Sequence, residues 1–374
     1  MKKTFKSTIY LLIFSIILSI PSFAAKKENK PVLIQYDKIE EMVKKQNIQI
    51  KLNDISLDDI KDALDSAEDA EDGLRNLQRT IYTISDGLNA YTDPVLGPLA
   101  QAIQFSLELS SSSLDAQMPS SSGSGDQVRV AELGFEQAED SIVSSAEKMF
   151  VIYHQLEDNI ALMENNHELL QSQLELTKYS LQYGLAAPST ITDLQGTILE
   201  LQNNKTALIH QKDSLLLQFK SIVGLSFDDD VIFGDVPEVD SDFIRKIDFK
   251  KDLDKALKNS LSIKTKKAEL GSSSSKAKTY ELQLKETEVT QNLSNQYQLL
   301  IEKEDALKLS QNKLASLNGK LVKEEMRYNT GLISLINLKS VRNEVETQKN
   351  TVKTNASNLF LEIENYKAMI DGMI

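Results

Sequence analysis

Few residues in this chain could do chemistry, and they lie far apart. His154, His167 and His210 are its three histidines. None has catalytic partners in view, and the chain has no zinc-protease helix motif, phosphate loop or nucleophile elbow. His167 falls on an apolar helical stripe with no second ligand at helical spacing, which is the setting of a packed or rim residue. Carboxylates crowd into Asp54, Asp58, Asp59, Asp62, Asp65, Glu68, Asp69, Glu71 and Asp72. A calcium hand needs ligands at alternate loop positions around a glycine; that spacing is absent, so the run reads as a solvated helix face. With no cysteine there is no thiolate site, no disulfide and no lipid-modified cysteine. The sequence therefore predicts no enzyme, no metal centre and no cofactor.

The informative residues are two glycine-centred breaks between long heptad-like runs. One is Tyr328-Asn329-Thr330-Gly331-Leu332-Ile333-Ser334; the other is Leu181-Gln182-Tyr183-Gly184-Leu185. Long helices joined by a short glycine-containing turn form a helical hairpin. Before Gly184, the residues Ile142, Ala146, Met149, Tyr153, Leu156, Ile160, Met163, His167, Leu170, Leu174, Thr177 and Leu181 alternate steps of four and three. This is a coiled-coil seam. After the break, Leu194, Ile198, Leu201, Leu208, Leu215, Phe219 and Ile222 carry a return helix that Gly224 closes as a C-terminal cap. Lys205 and Lys212 share that seam.

The scheme occurs twice. An offset of 147, the distance from Gly184 to Gly331, matches Ile142 to Val289, Ala146 to Leu293, Phe150 to Tyr297, Tyr153 to Leu300, Ile160 to Leu307, Leu170 to Leu317 and Leu174 to Leu321. Beyond the break, treating Ala187-Pro188-Ser189 as an insertion gives an offset of 144, which matches Asp193 to Asn337 and Leu194 to Leu338. Upstream, Asn47-Ile48-Gln49-Ile50 matches Ser260-Leu261-Ser262-Ile263 at 213. The second half is shorter there, with only Gly271-Ser272-Ser273-Ser274-Ser275 as a linker.

The expected organisation follows from these matches. Residues 1–24 read as a secretory signal, with basic Met1-Lys2-Lys3, an apolar run from Ile9 to Ile20 and small residues before a cut after Ala24. An uncleaved anchor is the alternative. Residues 25–224 form the first repeat. A helix is expected from Asp37 to Ile50 and a second, capped by Ser56, up to Ile84. Within 85–135 lies an irregular Ser-rich segment in which Ile103, Phe105, Leu107 and Leu109 alternate, as in a short strand. The turn of the first hairpin falls at 183–193. A linker at 225–248 follows, with a possible strand at Val231 to Phe233, and then a shortened second repeat at 249–374 with its turn at 328–337. The fold class is mainly α: duplicated long antiparallel hairpins with little or no β. A net charge of -13 opposes binding to nucleic acid, whose phosphates would repel it. Aromatic content of 6% and only 7 prolines suit long helices rather than a β sandwich or compact enzyme.

A duplicated helical hairpin with a turn of the form Tyr-x-x-Gly-Leu-x-Ser behind an export signal resembles the TolC-like outer membrane efflux proteins. The resemblance covers most of the mature chain and is strongest at 142–224 and 279–370. It implies a homotrimer whose hairpins close a helical tunnel. It also implies a periplasmic membrane-fusion adaptor docked at the turns, and an ABC or proton-driven transporter of an efflux pump or type I secretion system. By position it assigns Gly184, Leu185, Gly331, Leu332 and Ser334 to adaptor docking. Asp193 and Tyr328 match the gate link between the hairpins. Asn337 and Ser340 stand where the pore constriction falls, in place of the acidic residues often found there. The family's outer-membrane β-barrel takes two strand pairs from each protomer, with strands of ~9 to 11 residues; this chain offers at most one short hairpin, in its first half. The resemblance thus implies an exit duct in the cell envelope, in the periplasm or associated with the outer membrane. An exported coiled-coil spacer built on the same scaffold, without transport, is the alternative.

Overall fold

The computed structural model describes residues 31–65, 124–240, 242–271 and 276–373. The signal segment, the alternating run 103–109 and Glu68, Asp69, Glu71 and Asp72 of the acidic face lie outside the described residues. In the first half, strand β1 (Val32–Ile34) and a 3-10 turn (Tyr36–Lys38) lead into α1 (Ile39–Gln46) and α2 (Ile48–Asp65), followed by the long helices α3 (Ser124–Gln182) and α4 (Pro188–Ile222). The second half repeats this order: β2 (Val231–Phe233), a 3-10 turn (Ile244–Lys246), α5 (Phe249–Asn259), α6 (Leu261–Leu270), α7 (Lys276–Asn329) and α8 (Leu335–Asp371). This is the duplicated helical hairpin that the heptads predict.

Why the rods run so long is visible in their sequences. α3 and α7 contain no proline, and their apolar residues keep the heptad step, so nothing breaks the i to i−4 ladder over 59 and 54 residues. On α7 the buried stripe is Val289, Leu293, Leu300 and Leu307, facing Leu338, Val341, Val345, Leu359 and Ile363 of α8. α4 packs on α3, α3 on α8 and α8 on α7, so the four rods lie in that order with α4 and α7 outermost.

The cores sit at the root, away from the turns. One gathers Ile34, Val43, Ile50, Phe150, Leu215 and Phe219; the other gathers Ala256, Leu293, Leu300, Leu359, Ile363 and Tyr366. β1 and β2 pair in parallel, with Val32 opposite Val231, Leu33 opposite Ile232 and Ile34 opposite Phe233. A parallel pair needs a crossover, and here the whole first hairpin is that crossover. Phe233 then enters an aromatic cluster, with ring centroids 4.3 Å from Tyr153, 5.0 Å from Phe219 and 5.4 Å from Phe150. The segment at 225–248 is therefore a packed strap rather than a bare linker.

Four expectations are corrected. Helix α3 begins at Ser124, inside the stretch expected to be irregular to residue 135, because Val130, Ala131 and Leu133 bury themselves and extend the helix. Ser56 does not cap a helix. Its hydroxyl donates back to the Leu52 carbonyl at 2.8 Å within continuous α2, and the cap is Asn47, whose Oδ1 accepts from the amides of Gln49 and Ile50 at 2.8 and 3.1 Å. The turns are shorter than expected, at 183–187 and 330–334, because Pro188 already occupies the first turn of α4 and Ser334 caps α8.

The fourth concerns register. Both turns have the same length, so Ala187-Pro188-Ser189 is not an insertion. The offset of 147 continues, matching the N-caps Ala187 and Ser334, buried Ile198 to Val345 and buried Phe219 to Tyr366. Heptad stripes match themselves at shifts of three or four residues, so apolar matching alone could not choose between 144 and 147.

Candidate functional site

The two turns are built alike. Leu185 N donates to Ser180 O at 2.8 Å and Gly184 N to Leu181 O at 3.0 Å; Leu332 N donates to Arg327 O at 2.8 Å and Gly331 N to Tyr328 O at 2.9 Å. This double closure needs a residue with positive φ, and Gly184 and Gly331 have φ of 71° and 73°. No atom lies within 4 Å of a Cβ built on either glycine, so backbone conformation alone calls for them. In such a cap the residue after the glycine often packs back on the helix. Here Leu185 and Leu332 instead stand 81% and 69% exposed. With Tyr183 and Leu335 they put apolar surface at the end of each rod.

The downstream edges differ. Ser334 Oγ accepts from the Asn337 amide at 3.3 Å and caps α8. α4 starts on Ala187, with no side-chain cap, and Pro188. Proline suits this position because it lacks the amide that would go unpaired there.

Asp193 and Tyr328, the expected gate pair, are both exposed and are not brought together: neither side chain has a hydrogen-bond partner among the described residues. Asn337 is exposed and Ser340 half-buried on the first turns of α8. At the corrected offset Ser340, rather than Asn337, corresponds to Asp193.

What does join the hairpins is a polar seam between α3 and α8. Asn350 Nδ2 donates to Asn159 Oδ1 at 2.7 Å, Asn343 Nδ2 to Asn166 Oδ1 at 2.6 Å and Gln155 Nε2 to Asn358 Oδ1 at 3.0 Å. Lys353 meets Asp158 at 2.6 Å, and Lys339 Nζ donates to Ser172 Oγ at 2.8 Å. Within each hairpin ion pairs contribute as well: Lys205 with Glu164 at 2.6 Å and Lys212 with Glu157 at 3.6 Å in the first, Lys320 with Glu344 at 2.6 Å and Arg342 with Glu325 at 3.0 Å in the second. Lys205, by hydrogen bond and charge, holds the Glu164 carboxyl below its ordinary range. Sequence reasoning placed both lysines on the seam but missed the amide pairs, whose only signal is asparagine repeated at seven residues on both helices.

His167 and His210 behave as rim residues, whereas His154 packs into the aromatic cluster. His167 Nε2 lies 3.4 and 3.2 Å from the amides of Gln171 and Gln202, and His210 is exposed. His154 stacks edge-on to Phe150 at 5.0 Å with Nδ1 3.6 Å from Glu157. No group of three potential metal ligands forms among the described residues.

Two cavities lie at the root. One of about 600 Å³ opens between the strap at 235–245, α3, α7 and α8; its wall mixes Val236, Pro237 and Leu307 with ion-paired Lys308 and Lys353. Another, of about 420 Å³, is lined by Tyr36, Glu40, Asp140, Glu147 and Glu364. Burial, helped by Glu364 and Glu40, pushes the Glu147 carboxyl up to about 7. Burial, opposed by Lys44, pushes Asp140 up to about 6.

No family model matches the chain, and no curated protein matches it in sequence. Solved structures do match. The CmeC outer membrane channel of Campylobacter jejuni superposes with a TM-score of 0.57 at 10% identity, covering 94% of this chain and 91% of that one. The outer-membrane channel OprN gives 0.56 at 10% identity, covering 90% of each chain. The outer membrane protein VceC of Vibrio cholerae gives 0.51 at 8%, covering 91% of this chain and 97% of that one. At these identities the likeness is one of fold, and the chain has the TolC-like fold that its paired turns resemble.

Proposed function

We propose that this chain, having the fold of outer-membrane channels, is the exit duct of an efflux pump or type I secretion system, exported to the cell envelope and not an enzyme. Three copies close a helical tunnel. Its tips dock on a membrane-fusion adaptor that an ABC or proton-driven transporter feeds. The observation that carries this reading is the pair of exposed leucines, Leu185 and Leu332, held on identical glycine caps at the ends of two parallel hairpins. Apolar side chains at a rod's end stabilise nothing within the protomer; presented in pairs, they suit a partner. Two further features support closure of a tunnel: α4 and α7 are the outer rods of the set, and they carry exposed Leu199, Leu217 and Leu309.

A second reading, an envelope spacer without transport, draws on one specific feature. Only residues 271–275 separate α6 from α7. Two membrane strands of ~9 to 11 residues cannot fit there, so the second half adds no strand pair to a barrel. Among the described residues no helix is long and apolar enough to cross a membrane.

The test is Leu332→Asp alone and together with Leu185→Asp. The duct reading expects a trimer by native mass spectrometry, unchanged melting, and lost adaptor binding and export. Normal export by the double variant would sink it.

A further inference from the structure

We propose that a second copy of this chain covers the exposed stripe of α2, seating Ile48, Leu52 and Ile55 on Tyr280 and Leu284 at the start of its α7, and that charge lets only unlike halves join. The joint deepens the duct reading by naming a surface through which copies meet. Closure of a tunnel rests on that reading; the joint itself is tested without it.

The chain already contains one example of such a joint. α6 packs on its own α7 and also on α3 of the other half, whereas its counterpart α2 packs extensively only on its own α3. At the offset of 213, Ile48, Leu52 and Ile55 correspond to Leu261, Thr265 and Ala268. Leu261 is 3% exposed and Thr265 is buried, but Ile48 is 67% exposed, and Leu52 and Ile55 are exposed with it. The rods show the same contrast. At the offset of 147, Leu133 of α3, 1% exposed, corresponds to Tyr280 of α7, 64% exposed, and half-buried Gln137 corresponds to exposed Leu284. Steps of four and three put each set on one helix face. The first half thus offers an unfilled α2 face and the second an unfilled α7 face. Within one copy the elements packed extensively on α7 are α5, α6 and α8, so another copy must bring these two faces together.

The charges specify the pairing. α2 carries Asp54, Asp58, Asp59, Asp62 and Asp65 against Lys51 and Lys61, whereas α6 and the first turn of α7 carry Lys264, Lys266, Lys267, Lys276 and Lys278 against Glu269. The next acid on α7, Glu281, is paired with Lys266 at 3.1 Å. Asp54, Asp58, Lys267 and Lys276 are exposed and have no partner among the described residues. Inside the chain basic α6 lies along the start of α3, which carries Glu132, Glu136 and Glu139 against Arg129. Between copies the signs are exchanged, with α2 acidic and the start of α7 basic. An α2 offered to another copy's α3, or an α6 offered to another copy's α7, sets like charges side by side, which costs affinity. Copies therefore join first half to second, a head-to-tail contact of the kind that closes rings.

The chain has no cysteine, so single cysteines report the joint. Full-length Leu52→Cys and Leu284→Cys chains, differently tagged, are co-expressed and oxidised. The expected product links one chain of each kind, and neither variant alone should cross-link. Asp54→Lys with Asp58→Lys should weaken association about tenfold or more by sedimentation, with unchanged circular dichroism, and adding Lys267→Glu with Lys276→Glu should restore it. Links between two chains of the same variant, or association unmoved by the charge reversals, overturn the joint. So does the absence of a link; if position 52 is then shielded from thiol reagents in a monomer, residues 66–123 cover the stripe instead. A trimer by native mass spectrometry without the link overturns the joint and leaves the duct reading. The link in a protein that exports nothing removes the duct reading and leaves the joint.

Discussion

Gly224 lies so close to Gln46 that a Cβ built on it would stand 2.5 Å from the Gln46 Cβ and 2.8 Å from the Gln46 carbonyl oxygen. At the corresponding place in the second half, a Cβ on Gly372 would stand 2.6 Å from the Asn259 carbonyl oxygen. Each glycine ends a returning helix on the same double closure as the tip glycines. Root and tip therefore share one backbone motif, but only the root glycines are packed against another element.

Alanine at the four glycines should separate these roles. All four have positive φ, which costs about 1 kcal/mol for alanine. Gly184→Ala and Gly331→Ala should lose about that much. Gly224→Ala and Gly372→Ala must also displace backbone, and should lose about 3 kcal/mol or more. Urea unfolding followed by circular dichroism measures this; equal losses at root and tip would contradict the packing.

These contacts mark how far the sequence could be read. Gly184, Gly331, the capping role of Gly224, the strand at Val231 to Phe233 and the match of Asn47 to Ser260 are legible because turn chemistry and capping are local. The register after the tips was not legible from apolar stripes, and the caps Ala187 and Ser334 decide it. β1 carried no signal, since three residues show no period and its partner lies a whole hairpin away. The amide seam was hidden for another reason: Asn159, Asn166, Asn343 and Asn350 look like solvated positions until two hairpins meet. Of the expected site, the positions of the two turns and their leucines follow from local turn chemistry, whereas the partners of Lys339 and Asn47 depend on tertiary contacts.

The seam gives a second prediction. Asn166→Ala leaves the Asn343 amide without the partner it has at 2.6 Å, so it should cost about 1 to 2 kcal/mol. Adding Asn343→Ala should cost little more, because the two side chains serve one bond. A double-mutant cycle by urea unfolding checks this; additive costs would mean that the pair is not coupled.

Stability should also fall as pH rises from about 4.5 to 7. Burial holds Glu147 at about 7 and Asp140 at about 6, and in the unfolded chain both return to ordinary carboxyl values of about 4. In that window the folded state binds more protons than the unfolded state, so raising the pH favours unfolding. The stabilisation is complete below the unfolded pKa and lost above the folded one. Glu147 contributes no more than about 3 kcal/mol of this. Wild type should melt higher at pH 5.5 than at pH 8, and Glu147→Gln should flatten the difference. A higher melting temperature at pH 8 would falsify the assignment.

The last prediction comes from a division of labour between the halves. Buried Asn47 does two things: its Oδ1 caps α2, and its Nδ2 donates to the Ile222 carbonyl at 2.7 Å, tying the cap to the end of the returning helix. In the second half two residues share the work. Ser260 Oγ accepts from the Ile263 amide at 3.2 Å, while Asn259 Nδ2 donates to the Ile370 carbonyl at 3.1 Å. Removing a cap costs about 1 kcal/mol, and stranding a buried carbonyl about 1 to 3 kcal/mol. Asn47→Ala should therefore lose roughly what Ser260→Ala and Asn259→Ala lose together. Asn47→Ser keeps a cap oxygen but cannot reach Ile222, and should lose about as much as Asn259→Ala. If Asn47→Ser is as damaging as Asn47→Ala, the cap contributes nothing and the tie carries the whole effect.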